Sequence, residues 1–148
     1  MDTKQKGDIS EQAATLFALK QGWGVLNPIG DRLPYDLVFD VNGKLVKLQV
    51  KSAWLDKNSN NYIVDVRQTK TNRKKMIRKY YTKDDFDFAI LYIEDLDVFY
   101  IMPVEVFISY KSTIALVEVD KRQRKPKSSE YKNNWELINV WAAKSETI

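Results

Sequence analysis

Neither cysteine nor histidine occurs in the 148-residue sequence, and the two absences remove much of the usual catalytic repertoire. Without cysteine there are no disulfides, no thiolate zinc sites and no thiol nucleophile. Without histidine the commonest general base and transition-metal ligand is gone as well. Any chemistry must run on carboxylates, lysines, hydroxyls and amides, helped by a hard, oxygen-seeking cation such as Mg²⁺. Proline (4) and glycine (5) are sparse, and no Pro/Gly-rich linker or internal repeat divides the chain. No apolar run approaches membrane-spanning length and the N-terminus lacks a signal-peptide pattern, so an intracellular, cytoplasmic protein with no membrane partner is expected.

Hydrophobic residues make up 44% of the sequence, enough for a sizeable core, and the length suits one domain over residues 1–148. The net charge of +4 conceals a sharper asymmetry. Eight basic and no acidic residues fall between Val66 and Lys83: Arg67, Lys70, Arg73, Lys74, Lys75, Arg78, Lys79 and Lys83. Six more (Lys121, Arg122, Arg124, Lys125, Lys127, Lys132) lie beside the single acid Glu130. What remains carries 10 basic and 19 acidic side chains. One basic stretch alone fits a solvated surface segment; two on an otherwise acidic body point to a polyanion such as nucleic acid.

Asp8 reads as a helix N-cap, Glu11 completes an Asp-x-x-Glu capping box, and Gly22 reads as the stop. The helix expected from Asp8 to Gln21 carries an apolar stripe of Ile9, Ala13, Leu16 and Phe17. A short strand from Trp23 to Asn27 follows. Asp36 to Val41 and Lys44 to Ser52 alternate as strands joined by Asn42-Gly43, a dipeptide that favours a type I′ hairpin because both central residues need positive φ. Tyr62 to Arg67 alternates as another strand. Met76, Ile77, Tyr80 and Tyr81 stand at helical spacing among Lys74, Lys75, Arg78 and Lys79, which predicts an amphipathic basic helix. Asp87 to Ile93 and Val98 to Met102 read as core strands about an acidic turn, and Thr113 to Val119 as a further strand. The second basic stretch is an exposed loop around Pro126, and Tyr131 to Trp141 a closing helix. This order predicts an α/β (α+β) layout around a mixed sheet.

The hairpin permits geometry from sequence alone. A two-residue loop at Asn42-Gly43 pairs Val41 with Lys44 and therefore sets Asp36 opposite Gln49. Directly opposed residues share a face with Cβ atoms about 5 Å apart. Alternation puts Lys51 on that face too. The other face carries Leu37, Phe39 and Val41 against Val46, Leu48 and Val50, an apolar stripe fit for a core. A carboxylate, an amide and an ammonium thus converge at the open end of the hairpin. These three also fit a plain surface ion pair and hydrogen bond.

Pro34-Tyr35-Asp36, followed after the hairpin by Gln49-Val50-Lys51, resembles the motif of the PD-(D/E)XK nucleases. The proline is displaced by one residue, and Gln49 stands where the family usually has Asp or Glu. An N-terminal helix bearing a glutamate, here Glu11, is a frequent further element of that superfamily. The chain is most similar to its group I intron homing endonucleases, some of which carry this glutamine. The resemblance implies a restriction-endonuclease-like core, with a mixed central β-sheet flanked by helices. It also implies a Mg²⁺-dependent phosphodiester hydrolase acting on double-stranded DNA.

Phosphodiester hydrolysis needs an activated water, neutralised phosphate charge and a stabilised leaving oxygen, which a bound Mg²⁺ supplies in large part. Asp36 is then the principal ligand. The Gln49 side-chain carbonyl, the Val50 main-chain carbonyl and Glu11 are further ligands, and Lys51 orients or deprotonates the attacking water. Catalytic candidates are therefore Asp36, Gln49, Lys51 and Glu11. A neutral amide holds Mg²⁺ less strongly than a carboxylate, and Glu11 also fits a simple capping residue. Arg67, Lys70, Arg73, Lys74, Lys75, Arg78, Lys79, Arg122, Arg124, Lys125 and Lys127 are candidate DNA contacts. One site cuts one strand, so a homo-oligomer is expected, either a dimer or a dimer of dimers, working at the nucleoid. A Holliday-junction resolvase or restriction enzyme of the same superfamily, and a non-catalytic DNA-binding module, are the alternatives. HNH-type nucleases are excluded, since they need histidine.

Overall fold

Asp2 caps the first helix, its carboxylate accepting the Gln5 main-chain N–H at 2.7 Å. Helix α1 then runs Thr3–Lys20, starting well ahead of the Asp8 cap read from sequence. Gly7 is tolerated inside it because a single mid-helix glycine costs only about 1 kcal/mol. Glu11 accordingly sits in mid-helix, outside any capping box. The packed face is also narrower than the expected stripe. Ser10, Ala14 and Ala18 are fully buried, Ile9, Ala13 and Phe17 flank them, and Leu16 faces out at 53% exposure. Small residues on that face let the helix axis approach the sheet closely. In the computed structural model the described residues are 2–71, 76–118 and 125–144, with the main chain alone for 69–71 and 76–79.

After Gly22, whose φ of +82° ends the helix, β1 (Gly24–Leu26) pairs antiparallel with β2 (Leu37–Val41). Strand β2 turns through Asn42 (φ +55°) and Gly43 (φ +91°) into β3 (Lys44–Ser52). The register is Val41↔Lys44 through Leu37↔Leu48, as the turn chemistry requires. Three short strands follow: β4 (Trp54–Asp56), β5 (Asn61–Asp65) and β6 (Gln68–Thr71). Next comes β7 (Met76–Lys79), where an amphipathic helix was expected. It pairs antiparallel with β6 from Gln68↔Lys79 to Thr71↔Met76. Two physical terms work against the helix. Lysines at its N-terminal end oppose the helix dipole, and the β-favouring threonines of β6 offer a partner strand.

Strand β8 (Phe88–Ile93) returns parallel to β3, and β9 (Val98–Pro103) pairs antiparallel with β8. The helix α2 (Val104–Ser109), not foreseen from sequence, leads into β10 (Thr113–Leu116), which stops short of Val117 and Glu118; Val119, the expected end, lies outside the described residues. A short 3₁₀ turn at Ser129–Tyr131 precedes α3 (Glu136–Ala143), so the closing helix is shorter than the expected Tyr131–Trp141 and displaced along the chain. The central sheet is mixed, in the order β1-β2-β3-β8-β9, with separate sheets β10-β5-β4 and β6-β7.

Two cores cover the two faces of the central sheet. On one face α1 and α3 meet Leu37, Phe39, Val41, Val46, Leu48 and Val50, the stripe expected from alternation. Phe17 stacks on Trp135 at 4.0 Å and knits the helices together. On the other face Val64 and Ile114 of the second sheet and Phe107 of α2 close over Ala89 and Leu91. Every residue of β8 is buried, as a central parallel strand demands. Among the described residues no helix is long and apolar enough to cross a membrane.

Ile138 of α3 has no exposed surface, so Ile138→Ala should cost about 2–5 kcal/mol, read as a lower denaturation midpoint at unchanged m-value. Leu16→Ala on the open face of α1 should stay within about 0.5 kcal/mol of the natural protein.

Candidate active site

The site begins where β2 stops. Asp36, just before β2, donates its main-chain N–H to Leu48 O at 2.8 Å, so the ladder still holds there. Beyond it the side chain takes over. Asp36 Oδ2 accepts the Val50 main-chain N–H at 3.0 Å and the Gln49 Nε2–H at 2.9 Å. The carboxylate thus satisfies a strand edge that the chain no longer covers. Gln49 is 8% exposed and wedged beside it. In a strand the N–H and C=O of one residue project to the same edge, so the Val50 carbonyl lies on the Asp36 side as well.

Lys51 completes the group. Its Nζ donates to the Arg67 main-chain oxygen at 3.1 Å and lies 5.1 Å from the centre of the Tyr81 ring. Burial pushes the ammonium below the usual lysine range, while the charges of Asp65 and Asp36 act in the opposite sense. Asp36, Gln49, Lys51, Asp65, Arg67 and Tyr81 line one open cleft of about 290 Å³. Gln49 and Lys51 also border a second cleft, beside the first turns of α1.

Glu11 reaches this group from α1. Burial, then the charge of Asp36, then that of Asp8 push its carboxyl up to about 7. Asp36 is raised too, by burial, against the lowering by the Val50 N–H and Lys51. The helix carrying Glu11 is fastened to β3 by a hydroxyl pair, Ser10 Oγ to Ser52 Oγ at 2.6 Å, and Ser52 also donates to Lys6 O at 3.2 Å. Two carboxylates that both lose water, one of them within reach of the other's charge, suit a divalent cation. Among the described residues no group of three carboxylates, histidines or cysteines gathers, so a cation here needs amide and main-chain oxygens. The residues fit one on those terms. Gln49 now presents its nitrogen to Asp36, and a half-turn about its last bond, a soft torsion, exchanges that nitrogen for the oxygen.

The expected trio and Val50 therefore stand together, with Glu11 electrostatically beside them. Of the basic candidates, Arg67 lines the same cleft, its Nε paired to Asp65 Oδ1 at 3.3 Å. Lys70, Arg78 and Lys79 lie on the β6–β7 ribbon that springs from the cleft. Lys125 and Lys127 are exposed elsewhere, Lys127 over the Tyr110 ring just past α2. Arg73, Lys74, Lys75, Arg122 and Arg124 lie outside the described residues. Sequence reasoning missed Asp65 and Tyr81. Asp65 sits on an expected strand but outside the motif, and the spacing of Tyr81 points only to one face of the expected basic helix.

The sequence matches the PD-(D/E)XK endonuclease family over residues 1–138. No curated protein matches the sequence. Among solved structures, the chain is similar to the bacterial homing endonuclease I-Ssp6803I. The two share 58% identity with a TM-score of 0.91, over 99% of this chain and 100% of the other. The strand-end acid, the residue pair after the hairpin and the helix glutamate occur here within a chain matched almost end to end, and the protein belongs to the PD-(D/E)XK endonucleases.

Proposed function

We propose that this endonuclease hydrolyses phosphodiester bonds of double-stranded DNA at specific sites with Mg²⁺, as a homing endonuclease, and works as a homo-oligomer. The carrying observation is the convergence of Asp36, Gln49 and Lys51 on one cleft from which a basic two-stranded ribbon springs. A ribbon of that kind is a shape the major groove of DNA admits. The likeness to a homing endonuclease along the whole chain supports the finer reading.

In this reading Asp36, the Val50 carbonyl, Gln49 and Glu11 would hold the cation. A bound divalent cation supplies Lewis-acid charge neutralisation and a more acidic water. The protein's own part is placement. Asp36 is locked by two donors, so its oxygens keep one orientation. Lys51 reaches the cleft beside it and orients the attacking water or meets phosphate charge. The ribbon and its neighbours neutralise backbone phosphates and align the duplex. Each site cuts one strand, so a double-strand break takes two copies at least, as a dimer or a dimer of dimers.

Incubation with a diverse duplex library and Mg²⁺, followed by sequencing of the cut ends, should return one long recurrent site. A chelator or Lys51→Ala should abolish the cuts while affinity for that site stays within about threefold. Cutting of four-way junctions alone would assign the protein to the resolvases instead.

The amide at position 49 makes a separate prediction that needs no cutting. Gln49→Glu should lower the melting temperature in chelator, because it sets a second carboxylate against Asp36 at a site worth about 1–3 kcal/mol when a buried partner is lost. Added Mg²⁺ should raise that temperature more in the variant than in the natural protein.

Neutralising Lys70, Arg78 and Lys79 together with glutamine should reduce the slope of log affinity against log salt by about 0.9 for each lost phosphate contact, and weaken all duplexes alike. An unchanged slope would remove the ribbon from the DNA interface.

A further inference from the structure

The Lys51 ammonium is held from two sides, and both holders are feet of the β6–β7 ribbon. Arg67, whose main-chain oxygen accepts from Nζ, immediately precedes β6. Tyr81, whose ring faces Nζ, follows two residues after β7 ends. Each foot is fixed in its turn. The Arg67 N–H donates to the Asp65 carboxylate at 2.8 Å, and the Val66 N–H donates to Ser112 O at 2.9 Å. Tyr81 is 7% exposed and packs edge-on against Phe86 at 5.1 Å, with Phe107 beyond at 6.2 Å.

A lysine carries a long stem with many rotamers, and a carbonyl alone leaves its ammonium free to swing about one contact. A ring face beneath the cation restricts the remaining freedom, since the negative quadrupole attracts the charge wherever water is displaced. We propose that Tyr81 is a positioning residue for Lys51: its ring face, together with the Arg67 carbonyl, fixes the ammonium beside Asp36 and Gln49. The ribbon that seats the DNA and the lysine that serves the chemistry then share one joint. This inference rests on the nuclease reading of the cleft for its consequence, though not for its geometry.

The test compares the full chain with Tyr81→Phe, Tyr81→Leu and, as a packing control, Phe86→Leu. Phe86 belongs to the same ring cluster and does not touch Lys51 in any described contact. Tyr81→Leu should slow single-turnover cleavage with Mg²⁺ at least about tenfold, with DNA affinity measured in chelator held within about threefold. The conservative Tyr81→Phe, which keeps the ring face, should restore the rate to within about threefold. Phe86→Leu should lower the melting temperature as much as Tyr81→Leu yet keep the rate. Equal slowing by Phe86→Leu, or no rescue by Tyr81→Phe, would overturn the proposal.

A second readout is independent of cutting. With ¹³C-labelled lysine, the ε-methylene of Lys51, identified by its loss in Lys51→Arg, should resonate upfield through the ring current of Tyr81. It should remain there in Tyr81→Phe and return to the ordinary lysine position in Tyr81→Leu. An ordinary position in the natural protein would overturn the joint even if the enzyme cuts. An upfield signal in a protein that cuts nothing would support the joint and overturn the nuclease reading.

Discussion

A single carboxylate oxygen sets the geometry on which the site depends. Asp36 Oδ2 accepts from both the Val50 main chain and the Gln49 amide, at the point where β2 gives out. A half-buried carboxylate is tolerable when its lost hydration is replaced by donors, and charge-assisted N–H bonds are the strong kind. Two of them orient Asp36 without any ion. The same arrangement leaves the Val50 carbonyl on an edge no longer covered by β2. The cluster of Asp36, Gln49 and the Val50 carbonyl is thus a consequence of where one hairpin ends.

The rest of the fold makes that ending rigid. Strand β3 is bracketed by β2 and by β8, whose six residues are all buried, and cores lie on both faces of the sheet. A side chain that protrudes from such a strand inherits little backbone freedom, which suits a site needing placement to within a fraction of an ångström. The approach of α1 is set by small residues, Ser10, Ala14 and Ala18, and pinned by the Ser10–Ser52 hydroxyl pair. Glu11 follows from that contact. Larger residues on the same face would lift the helix and take the glutamate away from Asp36.

The central hairpin was readable because its evidence is local. Asn42-Gly43 dictates the turn, the turn dictates the register, and the register puts Asp36 against Gln49 with Lys51 one step on. The buried stripe on the opposite side is the same alternation read in reverse. Features decided at a distance were not readable. The start of α1 depends on a cap at Asp2 and on packing of Ser10, which no periodicity announces. The Met76 to Tyr81 segment has helical spacing, yet pairing with Gln68–Thr71 overrides it, since a partner strand satisfies the backbone whatever the side-chain period. Asp65 and Tyr81 enter the cleft from elements brought there by the second sheet and by Phe107 of α2, a helix that carried no recognised signal.

The glutamine at position 49 is explained by what surrounds it. Burial raises the proton affinity of both Asp36 and Glu11, and the charge of Asp36 raises that of Glu11 further. A third carboxylate beside them would cost stability unless a cation or a proton neutralised it, because like charges in low dielectric repel strongly. An amide avoids this. It donates to Asp36, and after a half-turn it would offer an oxygen to the cation of the proposed reading. The same exchange would weaken the hold on a hard cation, since a neutral oxygen attracts it less than a charged one. Order in the protein's own hydrogen bonds and a weaker hold on a cation would thus be two results of one amide, and the first accounts for why Asp36, Gln49 and the Val50 N–H stand joined.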